Sequence, residues 1–300
     1  MRGTAMVGLP SFLARRFPYP SRLVDAGALR LRVYEHGRGL PVVLLHGNPT
    51  WSWLWRKVVE RLDPALYRVV MVDLAGLGFS ERPPAHADHT LANHVGWMGR
   101  VFGQLDLEGA IFAGQDWGGP IGLGALASAG IQPRGLVLAN TVIGPPRKGF
   151  RASAFHRFAR LPVVSDVAFR LCAFPQAMLG IAQGDRRSLW FDPAYLAPLA
   201  DPRHNAAPLA LARMVPDSDW HPSIAVLADI ERFVAACDVP IELVWGTRDP
   251  ILGRVVNHLE RALPHARVTC TRGGHFLPEE EPEAIANAIA RITSVQPSNR

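Results

Sequence analysis

Short apolar runs alternate along this chain with longer stretches in which apolar residues recur at helical spacing. Val42–Leu45, Val69–Val72, Ala110–Ala113 and Leu136–Ala139 are continuous apolar runs of strand length. Continuous apolarity predicts strands covered on both faces, as in a parallel sheet. Trp51–Leu62, Leu91–Leu105 and Gly118–Ala129 carry the longer period and are predicted as the helices between them. Leu29–Tyr34 alternates instead, which predicts an antiparallel strand at the start. Together these elements predict an α/β fold, a mostly parallel central sheet flanked by helices.

The pattern changes near Pro145. From there to Pro222 no strand-like run occurs. Short helical stretches, prolines and aromatic residues such as Phe155, Phe158, Phe169, Trp190 and Tyr195 take over. That mixture predicts an inserted helical layer, because a linker would not carry so much apolar surface. Alternation resumes with Ile241–Trp245, a helix near Leu252–Ala262, Arg267–Thr271 and a last helix over Pro282–Ile292. The expected organisation is a core made of residues 20–144 and 223–294, an inserted helical cap over 145–222 and an N-terminal extension over 1–19. The polar tail from Ser294 to Arg300 is expected to fray.

Composition narrows the class. With 300 residues, 48% hydrophobic and 19% charged, the chain buries a core without staples and is not disordered. No apolar run reaches the ~18 residues of a membrane span. The net charge of +6 is carried mostly by arginine, since Lys57 and Lys148 are the only lysines. These charges are dispersed, whereas a nucleic-acid surface clusters them, so no nucleic-acid partner is expected. Cys172, Cys237 and Cys270 lack metal-ligand spacing and read as buried, reduced thiols. With no clean signal peptide over Met1–Pro20, the expected compartment is the cytoplasm.

Four local motifs carry chemistry. Gly114-Gln115-Asp116-Trp117-Gly118-Gly119 follows a strand and opens a helix. A G-x-nucleophile-x-G turn strains and exposes its central residue, and small flanks let the chain pass. Asp116 stands where an esterase has serine. A carboxylate can attack a carbon that bears a leaving group, or it can simply cap the helix. His46-Gly47-Asn48-Pro49-Thr50-Trp51 follows Val42–Leu45, where oxyanion N–H groups or an ordinary turn would sit. Trp245-Gly246-Thr247-Arg248-Asp249-Pro250 follows the penultimate strand, and its aspartate is either an acid or a turn residue before proline. Gly273-Gly274-His275-Phe276 follows the last strand. The chain order Asp116, Asp249, His275 matches the nucleophile-acid-base order of α/β-hydrolases.

At these residues the sequence resembles the haloalkane dehalogenases, from about Tyr19 to Thr293. Asp73-Leu74-Ala75-Gly76-Leu77-Gly78-Phe79-Ser80 is similar to that family's D-x-x-G-x-G-x-S turn, with a departure at Ala75. The resemblance implies the α/β-hydrolase fold and a two-step hydrolysis. Asp116 would displace halide to form an alkyl ester, and water activated by His275 would hydrolyse it. Asp249 would orient His275, the side chains of Asn48 and Trp117 would bind halide, and their backbone N–H groups would hold the oxyanion. Some relatives place the acid after the strand that follows the nucleophile helix. Here that strand ends in Asn140, and no acidic residue lies between Asp116 and Asp166, which leaves Asp249. This combination resembles the third of three subfamilies. In the first subfamily a cap tryptophan donates to halide, and Trp190 is the residue here that could do so. No metal or organic cofactor is implied. The implied partners are a small apolar halogenated substrate, halide ion and water, and a homo-oligomer is allowed. Epoxide hydrolases share the nucleophile but use two cap tyrosines, and this cap holds Tyr195 alone. Fluoroacetate dehalogenases carry arginine where Trp117 stands, and no G-x-S-x-G turn exists for a serine esterase. A luciferase-like oxygenation on the same fold and a non-catalytic ligand-binding protein stay open.

Overall fold

A computed structural model describes residues 9–147, 153–171, 192–200 and 206–295. Its strands are β1 (Ser21–Asp25), β2 (Arg30–Gly37), β3 (Leu40–Leu45), β4 (Tyr67–Val72), β5 (Ile111–Asp116), β6 (Gly135–Thr141), β7 (Ile241–Gly246) and β8 (Arg267–Thr271). They form one sheet in the order β1-β2-β4-β3-β5-β6-β7-β8. The pairs β1–β2 and β2–β4 are antiparallel, and every pair beyond them is parallel.

The continuous apolar runs have a direct structural cause. Successive side chains of a strand point to opposite faces, and both faces of this sheet are covered. Val43 and Leu45 of β3 join one core layer with the helices Leu91–Phe102, Gly118–Ala129 and Ser223–Ala236. Val42 and Leu44 join the opposite layer, with Trp51, Trp53, Trp55 and the helix Pro282–Ser294. β1 escaped the sequence reading because it is an edge strand, mostly half-buried, and Ser-Arg-Leu-Val-Asp has no apolar run. Leu13 and Phe17, inside the expected N-terminal extension, are buried in the second layer against Tyr34 and Trp51.

The helix predicted over Trp51–Leu62 is shorter and tighter. A 3-10 turn over Ser52–Trp55 leads into an α-helix over Arg56–Val59. Residues two apart do not share a face of an α-helix. An extended Trp51 followed by a tight turn lets Trp51, Trp53 and Trp55 all be buried.

Between β6 and β7 the described residues hold no strand. Ahead of the helix Ser223–Ala236 they form the helices Ala154–Ala159, Val164–Leu171, Pro193–Leu196 and Ala206–Arg213, and Ala159, Phe169, Leu209 and Ala212 make a small core of their own. Trp190 lies outside the described residues. No helix among the described residues is long and apolar enough to cross a membrane. The loops after β3, β5, β6, β7 and β8 gather at the carboxyl edge of the sheet, the usual place for a site in such folds. Those after β3, β7 and β8 carry Asn48, Asp249 and His275, and the last residues of β5 and β6 include Asp116 and Asn140.

Candidate active site

Asp116 ends β5 with a φ of 49°, in the left-handed region. For a residue with a side chain this costs of order 1–3 kcal/mol and persists only when the surroundings enforce it. Here they do. The Thr141 hydroxyl donates to the Asp116 carbonyl oxygen at 2.6 Å, and the register between β5 and β6 shifts at this point. A side chain at Gly118 would strike the Leu45 carbonyl, and one at Gly47 would strike Asp116 itself. Glycine at both places lets the ends of β3 and β5 converge.

The turn presents the Asp116 carboxylate to two groups. The Asn48 backbone N–H donates to Oδ1 at 2.8 Å. His275 Nε2 lies 3.5 Å from Oδ2. The His275 ring is buried, and its Nδ1 donates to Asp249 Oδ2 at 2.8 Å. Asp249 Oδ1 accepts the Ile251 N–H at 2.7 Å. Burial pushes the Asp249 carboxyl up, but His275, the Ile251 N–H and the Asn140 amide together hold it below the usual carboxylate range. Burial likewise disfavours a charged His275. The flanking Asp249 and Asp116 outweigh that cost and push its pKa up to about 10. The two flanking side chains therefore favour the charged ring, against the cost of burying it.

Two supporting residues went unassigned in the sequence. Asn140 is fully buried at the end of β6, with a φ of 37°. Its Nδ2 donates to Asp249 Oδ2 at 2.5 Å and to the Gly274 carbonyl at 3.2 Å, and its Oδ1 accepts the Gly246 N–H at 2.7 Å. It thus ties together the ends of β6 and β7 and the loop carrying His275. A polar residue ending an apolar run was the signal for it. Gln115, also fully buried, donates to the His275 carbonyl at 3.0 Å, and nothing in the sequence marked it.

The two expected halide donors are placed differently. Trp117 lines the large cavity, and among the described residues its indole N–H has no hydrogen-bond acceptor. Its backbone N–H likewise has no acceptor among the described residues, in contrast to that of Asn48. The Asn48 side chain donates through Nδ2 to the Pro208 carbonyl at 3.0 Å, in the helix Ala206–Arg213. An amide nitrogen carries two protons, so this leaves it one further donor. Asp73 accepts from Tyr34, Ser52 and Phe79, which makes the D-x-x-G-x-G-x-S turn a loop-shaping device. Tyr195 is buried and donates to Glu279 Oε2 at 3.0 Å, away from the cavity.

The cavity measures about 1000 Å³. Its wall includes Asp116, Trp117, Ile143 and Leu227, with Ser153 and His156 contributed by the helical segment. Among the described residues no group of three or more His, Cys, Asp or Glu is placed to hold a metal. A carboxylate, a paired imidazole and backbone donors facing a largely apolar cavity can support covalent attack followed by hydrolysis.

Comparison with known proteins bears on the fold and the family. Residues 41–282 match the alpha/beta hydrolase fold family. The chain is 33% identical over 290 residues to a haloalkane dehalogenase of Mycobacterium marinum, covering 91% of this chain and 93% of that one. It is 33% identical over 261 residues to haloalkane dehalogenase 1 of Mycobacterium tuberculosis, covering 83% and 82%. Among solved structures, the haloalkane dehalogenase DatA of Agrobacterium tumefaciens superposes with a TM-score of 0.80 at 26% identity, covering 91% and 96%. The tetrameric haloalkane dehalogenase DpaA of Paraglaciecola agarilytica superposes with a TM-score of 0.76 at 25% identity, covering 93% and 95%.

Proposed function

This chain belongs to the haloalkane dehalogenases, a family of the α/β hydrolase fold, and from that premise we propose that its chemistry runs through an alkyl ester on Asp116. The reaction is hydrolysis of a carbon–halogen bond to an alcohol, halide and a proton. The observation that carries the residue assignment is the Asp116 carboxylate itself, strained at the end of β5, with one oxygen on the Asn48 N–H and the other facing His275.

In the first step Asp116 Oδ2 attacks the halogenated carbon, and halide departs with the bonding pair. The Trp117 indole N–H and the spare Asn48 amide N–H are the donors for it. Oδ1 stays against the Asn48 backbone N–H, where the oxyanion of the second step forms; the Trp117 backbone N–H is the second donor. Esterification also removes the charge of one of the two carboxylates that hold the His275 proton. The ring's pKa then falls, its proton leaves to solvent, and neutral Nε2 can take a proton from the attacking water. Asp249, held by Asn140 and Ile251, keeps the imidazole oriented.

The position of the cavity supports reading residues 145–222 as a cap over a core of 20–144 and 223–294. The placement of Tyr195 favours dehalogenation over epoxide opening, because its hydroxyl is committed to Glu279. The tetrameric relative supports a homo-oligomer, and the free thiols of Cys237, which is buried, and Cys270, which is exposed against the expectation of burial, support a cytoplasmic setting. Halide release from brominated and iodinated alkanes, run beside Asp116→Ala, tests the nucleophile. Release by the wild type and none by the variant is expected. Equal release by both would remove Asp116 from that role.

A further inference from the structure

His156 stands in the cavity but takes no part in the steps above. It lies on the helix Ala154–Ala159, and its ring shares the cavity wall with Asp116 and Trp117. The wall has an apolar part that includes Val142, Ile143 and Leu227 and a polar part that includes Arg147, Glu231 and His258. One ring nitrogen, Nδ1, is 2.8 Å from the Ser153 hydroxyl oxygen. That oxygen also accepts the His156 backbone N–H, at 3.4 Å. A hydroxyl has one proton to give. The Ser153 hydroxyl can donate to Nδ1, and in that tautomer the ring proton sits on Nε2.

Nε2 has no hydrogen-bond partner among the described residues. Burial pushes the ring's pKa down to about 4, against the pull of Asp116, so it is a neutral donor at neutral pH. An entirely hydrocarbon substrate filling the cavity would strip water from this N–H without replacing the hydrogen bond, which is unfavourable. A substrate bearing an oxygen at that point would satisfy it.

We propose that His156 is a specificity-determining residue: its Nε2–H donates to an oxygen on the substrate, so that haloalkanes bearing an ether, hydroxyl or carbonyl oxygen are favoured over halogenated hydrocarbons. The proposal rests on the reading of Asp116 as the nucleophile in this cavity. It names a donor, so an ether, which can only accept, is the cleanest probe.

The test uses isosteric pairs in which one methylene becomes oxygen: pentyl bromide with methoxypropyl bromide, hexyl bromide with methoxybutyl bromide, and heptyl bromide with methoxypentyl bromide. The ether-to-alkyl ratio of kcat/KM is measured for the wild type, His156→Phe and His156→Gln. In at least one pair the ratio is expected to fall about tenfold in His156→Phe, mainly through KM, which is the effect of losing one hydrogen bond. His156→Gln keeps an N–H near the Nε2 position and should retain most of the preference. His156→Leu gives the same readout should the phenyl ring fail to pack. Halide release with the same ratio in all variants, for every pair, overturns the proposal while leaving Asp116 its role. Absence of halide release from every bromide by the folded wild type overturns the nucleophile reading, and this proposal with it.

Discussion

The carboxyl edge of the sheet and the helical segment between β6 and β7 meet at one cavity, yet they are held in different ways. At the edge, polar atoms are locked to partners far away in the chain: Gln115 to His275, Asn140 to Asp249 and Asn48 to Asp116. Among its described residues the helical segment has a small core of Ala159, Phe169, Leu209 and Ala212 and leaves Leu161, Val163, Val164 and Val167 exposed. Two of its ion pairs, Arg213–Asp166 and Arg160–Asp217, are partly solvated and stabilise little, and its ties to the core include the Ala194 and Pro208 carbonyls, which accept from Trp51 and Asn48. The difference separates two tasks. Covalent chemistry needs atoms fixed within a fraction of an ångström, and the sheet edge is over-determined to do that. Selecting a substrate needs shape and a few polar contacts, which a layer with a small core of its own can supply and vary.

The sharpest test of this contrast lies at the edge. His275→Phe removes the proposed base and leaves the proposed nucleophile, Asp116, in place. Turnover is expected to fall about a hundredfold to ten-thousandfold, while the intact mass rises by one alkyl group. Substrate consumption without a mass shift would break the assignment of His275.

Next in size is Phe169→Ala in the helical segment, which empties the centre of the small core. The expected cost is about 3–5 kcal/mol. Hydrogen exchange should accelerate over residues 153–171 and 206–213, with β5 and β6 keeping their protection. Equal loss of protection in the sheet would show that the two regions unfold as one unit.

The smallest effect is in pH, and the two regions should respond with opposite sign. His275 has a raised pKa, near 10, in the folded state. Its contribution to stability is complete below the unfolded value of about 6.5 and is lost as pH rises through that of the folded state. His156 is lowered to about 4, so the folded state loses stability as pH falls from about 6.5 toward that value. Melting temperatures across pH should show Asp116→Asn flattening the alkaline side and His156→Gln flattening the acid side in part. Ring titrations by NMR would locate each histidine directly. A His275 that titrates near 6.5 in the free enzyme would remove the two-carboxylate account of its proton.

Much of the fold was legible because burial on both faces leaves a simple mark, the unbroken apolar run of β3, β4, β5 and β6. β1 left no such mark, since an edge strand keeps polar residues on its open side. Asp116, Asp249 and His275 were legible because each follows a strand within a short glycine-containing motif, and their order along the chain has few other meanings. Asn140, Gln115 and His156 were not. Each is an ordinary polar residue whose importance depends on which strand end or helix lies beside it.

By itself, then, the sequence determined the kinds of group available at the sheet edge: a carboxylate in a turn that must be strained, an imidazole, a second carboxylate and donors without acceptor capacity. These follow from side-chain chemistry and local backbone geometry, which neighbours in the chain suffice to impose. Only the tertiary structure decided how those groups are charged and where they point. It set His275 between two carboxylates, turned the Asn48 amide toward Pro208 and opened His156 to the cavity. Proton affinity and hydrogen-bond direction depend on burial and on contacts between loops far apart in sequence, and no local pattern encodes them.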